Sequence, residues 1–165
     1  MAIAVVSMLA AASVLHAQSR KALQELGRFV PPPYAEPLVR RGDSSAAFDE
    51  AIRAYEAKRY PAAADRFRRL IAADPDDVAG NFYLAVTLMM TDEVGEAEDR
   101  LGAVLAAGES PFESPGRFVL AKACIRLGKL DEAEQQLTRV AASSDAWAQP
   151  AAELLPKVRA LRNRK

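Results

Sequence analysis

Few side chains in this sequence have the chemistry for acid–base, nucleophilic or metal-dependent catalysis. The only histidine, His16, lies within an apolar stretch, so a catalytic triad, histidine acid–base catalysis and a histidine-based metal site all lack a necessary part. The only cysteine, Cys124, has no histidine to activate it and is predicted to be a small core residue. Glu96 and Asp99 have the spacing of neighbours on one solvated helix face, which favours exposed carboxylates over a glycosidase-like pair. The sequence therefore predicts a protein that is not an enzyme, with no metal and no cofactor.

Composition narrows the class of partner. The 165 residues include 22 Lys and Arg and 22 Asp and Glu, so no net charge attracts the chain to nucleic acid. The apolar share of 50% is carried mainly by alanine and leucine, and aromatic residues make up only 7%, which favours closely packed helices. Basic residues near 53–69 and acidic residues near 92–99 are interpreted as solvated helix faces with ion pairs between neighbouring units.

Apolar positions recur three times along the chain, in steps of 34 and then 36 residues. This period, with helical spacing inside each unit, is typical of a helix-turn-helix solenoid. The small members are Ala51, Ala85 and Ala121, and Ala63, Ala97 and Ala133; the large members include Phe48, Phe82 and Phe118, and Phe67, Leu101 and Leu137. The predicted fold is therefore all-α, and such a scaffold presents a surface rather than a reaction centre.

The helices that build this solenoid can be placed from their boundary residues. The predicted helices of the first two units cover about 45–57, from Pro61 to before Asp74, 78–90 and 95–107. In the third unit, Ser114 is the predicted N-cap of the first helix, Gly128 forms the turn between the helices, and Asp131 is the predicted N-cap of the second helix. A last helix, about 146–162, is expected to cover the open end of the solenoid. Its covering face is Trp147, Leu154, Leu155, Val158 and Leu161, and Pro156 is expected to kink or split it.

These residues resemble the tetratricopeptide repeat over about residues 44–142. The alanines occupy its small positions and Pro75 its closing proline, whereas Lys58 and Asp92 replace its usual glycine between helices. The resemblance implies three repeats plus a C-terminal capping helix. It also implies that the first helix of each repeat lines a concave groove. By this resemblance, the partner-binding groove is formed by Phe48, Ile52, Tyr55, Phe82, Val86, Met89, Phe118, Lys122 and Ile125.

Two segments precede the repeats. Residues 1–17 carry no charge and are predicted to be a signal peptide or membrane anchor, although Leu15 disfavours cleavage after Ala17. Residues 18–43 are predicted to be a proline-rich linker with a short helix from Ser19 to Leu26, followed by an extended stretch. The linker is either a spacer or a clamp that lays Tyr34 and Leu38 against the solenoid. The repeat domain itself is predicted over 44–163.

The layout also resembles bacterial envelope proteins in which an anchor and a stalk precede a small tetratricopeptide domain. We therefore expect a protein-interaction adaptor outside the cytoplasm, in the periplasm or anchored to the membrane, that binds an apolar or helical peptide of another protein. A cytoplasmic location is the alternative. Two other functions remain open: a self-capped assembly subunit whose linker fills the groove, and the periplasmic part of a longer membrane regulator of the anti-sigma type.

Overall fold

The computed structural model describes residues 19–34 and 46–163. Within these ranges the regular structure is helical, and no strand is present. The leader at 1–17, Leu38 and the predicted first residue of the first repeat helix, Ser45, lie outside the described residues. Helix α1 covers 19–26, as predicted. The other helices are α2 (Ala46–Glu56), α3 (Tyr60–Ala73), α4 (Val78–Thr91), α5 (Val94–Ala106), α6 (Glu113–Leu127), α7 (Leu130–Ala141) and α8 (Ala148–Arg162).

From α2 to α8, each helix packs against the next one along the chain. The pairs α2–α3, α4–α5 and α6–α7 form repeats one, two and three, and α8 covers the end of repeat three. This arrangement is an all-α solenoid of three repeats with a C-terminal cap, as the sequence predicts. We call the surface formed by the first helix of each repeat, α2, α4 and α6, the first-helix face.

The small residues of the repeat pattern are completely buried between the helices. All six predicted alanines are 0% exposed: Ala51, Ala85 and Ala121 in the first helices, and Ala63, Ala97 and Ala133 in the second. A larger side chain at such a position would push the two helices apart, because protein interiors are close-packed.

The turn inside each repeat requires one left-handed residue. Gly128 adopts φ 77°, and the residues that replace glycine in the other repeats, Lys58 and Asp92, adopt φ 56° and φ 69°. The three turns are therefore alike in backbone conformation although only one contains glycine. A residue with a β-carbon pays a conformational penalty there, most clearly at Lys58, because Asp tolerates this region better.

Two predicted helix starts differ from the structure. Helix α6 begins at Glu113 rather than at Ser114, and its N-cap position is occupied by Phe112 without a side-chain cap. The ring of Phe112 is 3% exposed and lies 5.0 Å from the ring of Phe82, so aromatic packing fixes this start. Helix α7 begins at Leu130, which places Asp131 in its first turn and not at its cap.

The capping helix has the predicted apolar face. Leu154, Val158 and Leu161 are buried, and Trp147 lies 5.2 Å, ring to ring, from Phe118 of repeat three. Pro156 does not split the helix, which is continuous from Ala148 to Arg162. Pro156 and Ala152 are both exposed, so water can satisfy the carbonyl that lacks a helical partner.

Charged side chains join neighbouring repeats, as the uneven charge predicts. Arg68 of repeat one forms ion pairs with Glu93 and Glu96 of repeat two. Lys129 reaches Glu98 of repeat two at 2.7 Å, and Arg159 of the cap reaches Glu134 at 2.8 Å. These pairs are at least partly exposed, so each is expected to add little stability.

Candidate functional site

The predicted groove residues lie mostly inside the protein. Phe118 and Lys122 are partly exposed. The remaining seven, Phe48, Ile52, Tyr55, Phe82, Val86, Met89 and Ile125, are buried. The first-helix face is thus not an open apolar surface, and part of what covers it is the chain's own residues 19–34.

Residues 19–34, which we call the N-terminal segment, lie on the first-helix face. Ala22, Leu23 and Leu26 of α1 pack against the apolar cluster formed by α6, α7 and α8. Phe29 and Tyr34 pack against the cluster formed mainly by repeats one and two. The linker is therefore a clamp along its described part, and it runs from repeat three towards repeats one and two, opposite to the order of the repeats.

Two side chains of the first helices bind the main chain of this segment. Lys122 of α6 donates a hydrogen bond of 2.8 Å from Nζ to the carbonyl oxygen of Leu26. Tyr55 of α2 donates one of 2.5 Å from its hydroxyl to the carbonyl oxygen of Pro32. Both acceptors are backbone groups, so these contacts recognise a peptide main chain without requiring a particular side chain.

Glycine at position 27 permits the close approach of segment and solenoid. A β-carbon there would lie 2.5 Å from Cγ of Arg126 and 2.8 Å from the carbonyl oxygen of Leu23, which is too close for either atom. Arg126 is held in place, because it donates a hydrogen bond of 2.7 Å to the carbonyl oxygen of Met89 and pairs with Asp92. A larger residue at position 27 would therefore displace the segment.

Burial shifts the pKa of both donors. Burial of the Lys122 ammonium, with a smaller contribution from Lys157, lowers the pKa of Lys122. Burial, together with the neighbouring Tyr83 and Tyr60, raises the pKa of Tyr55, which keeps its hydroxyl proton for donation. Lys122 also lies 5.9 Å from the ring centre of Phe118, within the range of a cation–π contact.

Sequence profiles of the tetratricopeptide repeat family match residues 54–112 and 92–149. The solenoid is built from tetratricopeptide repeats. The two matches overlap in repeat two and together extend over most of the three repeats.

Two solved structures have a similar fold. The type III secretion chaperone SycD of Yersinia enterocolitica, in complex with a peptide of the translocator YopD, superposes with a TM-score of 0.62 at 18% identity, covering 75% of this chain and 98% of that chain. A structure of the same translocator chaperone, SycD, gives a TM-score of 0.60 at 17% identity over 78% of this chain and 97% of that chain. At these identities the likeness shows the fold. No curated protein sequence matches the chain.

Tyr83 is an important aromatic residue of the tetratricopeptide domain, and it does not occupy one of the apolar positions that recur in all three repeats. Tyr83 is 1% exposed, and its ring lies 5.5 Å from Tyr55, 5.3 Å from Phe82 and 5.7 Å from Tyr34 of the N-terminal segment. It therefore connects the segment to the core. The signal in the sequence was the nearly unbroken apolar character of α4, whose residues 81–89 are all buried because this helix packs on both sides.

Cys124 is buried, as predicted, and lies beside two carboxylates. Its Sγ is 4.0 Å from Glu98 Oε1 and 4.0 Å from Glu132 Oε2. Burial and these two charges raise the pKa of the thiol to about 12, which keeps it protonated and unreactive at neutral pH. Lys129 binds Glu98 through hydrogen bonds of 2.7 and 2.8 Å, so the cluster contains its own cation.

Among the described residues, no helix combines the length and the apolar character that crossing a membrane would require.

Proposed function

We propose that this protein is a protein-interaction adaptor that binds an apolar or helical peptide segment of another protein on its first-helix face. One observation carries the proposal: a helical and then extended segment already lies there, with its main chain bound by Tyr55 and Lys122. The same donors and the same apolar clusters would accept a peptide from a partner. Tetratricopeptide repeats are typically binding scaffolds and not catalysts, which agrees with this role.

The similarity to SycD supports the same proposal. That chaperone was solved with a peptide of its translocator, and the present chain shares its fold over three quarters of its length. By analogy, the partner is a protein that offers a peptide segment rather than a folded domain.

We further propose that the adaptor works at the cell envelope. The support is the uncharged leader, Met1 to Ala17, whose length and composition suit export or anchoring. A reporter fused after Lys165 tests this location. Activity of the reporter outside the cytoplasm, lost when residues 1–17 are removed, is the expected result, whereas a cytoplasmic reporter on the intact chain would contradict it.

A second candidate is the self-capped assembly subunit, whose segment is a permanent part of the fold. The burial of the groove residues beneath residues 19–34 favours it. In-cell photo-crosslinking separates the two functions, with a photoreactive phenylalanine analogue at Met90, on the first-helix face of α4, and a control at Arg139, which is exposed on the second helix α7. The adaptor predicts a crosslink to a second protein from Met90 and none from Arg139. The self-capped subunit predicts crosslinks from Met90 to residues 19–34 of its own chain alone.

A further inference from the structure

The N-terminal segment has the character of a bound peptide rather than of a core element. Its apolar side chains, among them Leu23, Leu26 and Phe29, are partly exposed. The alanines that recur in the three repeats are, in contrast, completely buried. Val30, in the middle of the segment, is 86% exposed. Part of the segment's attachment comes from two main-chain hydrogen bonds, which any peptide of suitable shape could replace.

We propose that residues 19–34 are an internal ligand that closes the first-helix face until a partner with the same chemistry displaces it. This inference rests on the adaptor function proposed above and specifies its ligand. The partner offers a short helix with apolar residues three apart, a glycine where the helix ends, and then an extended apolar stretch. It enters in the same direction, from repeat three towards repeat one.

Each of these partner features matches a contact of the N-terminal segment. Leu23 and Leu26 pack against the cluster formed by α6, α7 and α8, which requires a helical turn there. Gly27 lies where a β-carbon would overlap Arg126, which requires glycine. Beyond it, Pro32 presents a free carbonyl to Tyr55, and an extended proline-rich chain provides such carbonyls because it makes no internal hydrogen bonds.

Because the segment belongs to the same chain as the face that it covers, its effect on the affinity for an added peptide can be estimated. A short linker holds its segment at an effective concentration on the order of 1 mM, so a free peptide with a dissociation constant near 0.1 mM would bind the closed chain about tenfold more weakly than the open chain. Weakening the internal segment should therefore strengthen the binding of an added peptide.

The test uses the full chain and a fluorescent synthetic peptide with the sequence of residues 19–34, followed by fluorescence anisotropy. Leu26→Asp puts a charge against the apolar cluster and opens the chain, and Gly27→Val opens it by steric overlap. Val30→Asp is the matched control, because it adds the same charge at an exposed position of the same segment. The peptide that itself carries Leu26→Asp is the control for specificity.

We expect the wild type and Val30→Asp to bind the peptide equally weakly. Leu26→Asp and Gly27→Val should bind it about tenfold more tightly, and the altered peptide should bind none of the four. Folding of each variant is checked by circular dichroism. If both opening variants are folded and do not bind the peptide, or if both are unfolded at 25 °C, the segment is not a displaceable ligand and the proposal is overturned.

Light scattering tests the origin of the segment. A wild-type monomer agrees with closure within one chain, whereas a dimer that Leu26→Asp converts to monomer would mean that the segment docks on a second copy, and would overturn the proposal. Failure of the internal-ligand proposal can be distinguished from failure of the adaptor function. Crosslinking of a partner to Met90 without peptide binding would overturn the internal ligand but not the adaptor. Peptide binding without a crosslinked partner would show that the segment can be displaced, but would overturn the adaptor and with it displacement by a partner.

Discussion

Lys122 Nζ donates a hydrogen bond of 2.8 Å to the carbonyl oxygen of Leu26, a residue 96 positions earlier in the chain. The bond ties the third repeat to the segment that precedes the first. It shows how the tetratricopeptide domain holds a peptide main chain, since the ammonium is positioned by α6 and shielded by the segment that it binds.

Replacing this donor should loosen the segment. Lys122→Met keeps the aliphatic volume but removes the hydrogen bond to Leu26, and we expect the free energy of opening to fall by about 1 kcal/mol, since burial of the charge offsets part of the bond. Amide hydrogen exchange in residues 19–26, measured by mass spectrometry, should then become about fivefold faster.

Lys157→Met is the control for this change. Lys157 is exposed on α8 and contributes to the lowered pKa of Lys122, so removing it relieves a repulsion. Exchange in residues 19–26 should stay the same or become slower. Equal acceleration by both substitutions would mean that any lost positive charge, and not the hydrogen bond, opens the segment.

The six recurring alanines predict where the solenoid tolerates no added side-chain volume. Ala97→Leu adds three carbons to a position that is 0% exposed, and we expect a loss of about 1 to 3 kcal/mol in the free energy of unfolding, measured with urea. Ala103→Leu, at an exposed position of the same helix, is the control and should change stability by less than about 0.5 kcal/mol. Equal losses would show that leucine is disfavoured in α5 as such.

The left-handed turn residue of repeat one is a site for stabilisation. Lys58 has φ 56°, so Lys58→Gly removes a penalty of about 1 to 2 kcal/mol, partly offset by the greater freedom of glycine in the unfolded chain. We expect a net gain of about 0.5 to 1 kcal/mol by thermal unfolding. Ala57→Gly, one residue earlier, has no positive φ to relieve and should lose stability; a gain there would contradict the explanation.

The thiol of Cys124 predicts a pH dependence. Its pKa is about 12 in the folded protein against an ordinary value of 9.0, so between pH 9 and 12 the folded state retains a proton that the unfolded state loses. The stability contributed by this group is therefore complete below pH 9 and falls by up to about 1.4 kcal/mol per pH unit above it. Cys124→Ala should remove this part of the alkaline decline in urea unfolding. Identical pH profiles for the two proteins would exclude the thiol as its source.

The sequence was most informative where packing repeats. The alanines at 51, 85 and 121 could be found because each helix crossing demands a small residue, and a repeated demand leaves a repeated pattern. Tyr83 left no such pattern, because the corresponding positions of repeats one and three are Asp49 and Val119, so only one repeat has a large aromatic residue there. The predicted start of α6 differs from the observed one because the buried ring of Phe112 occupies the N-cap position, in place of the side-chain cap that Ser114 suggested.

The site was harder to predict than the fold. The residues of the first helices could be assigned from the repeat. No periodic pattern in the sequence, however, indicates that residues 27–34 cover them. Phe82 illustrates the consequence: the repeat pattern assigned it to the partner-binding groove, whereas it is 2% exposed and packs against the rings of Tyr83 and Phe112. Phe82→Ala is therefore expected to lower the free energy of unfolding, measured with urea, by about 3 to 5 kcal/mol, and any loss of binding should follow from this loss of stability.

Peptide binding on the first-helix face can be observed residue by residue. The experiment is methyl NMR of the full-chain Leu26→Asp variant, titrated with the peptide of residues 19–34. The methyl signals of Ile52, Val86 and Ile125, which belong to the first helices, should shift, while those of Val104 and Val140 in the second helices stay in place. Shifts confined to Val104 and Val140, or none at a saturating peptide concentration, would show that the first-helix face does not hold the peptide.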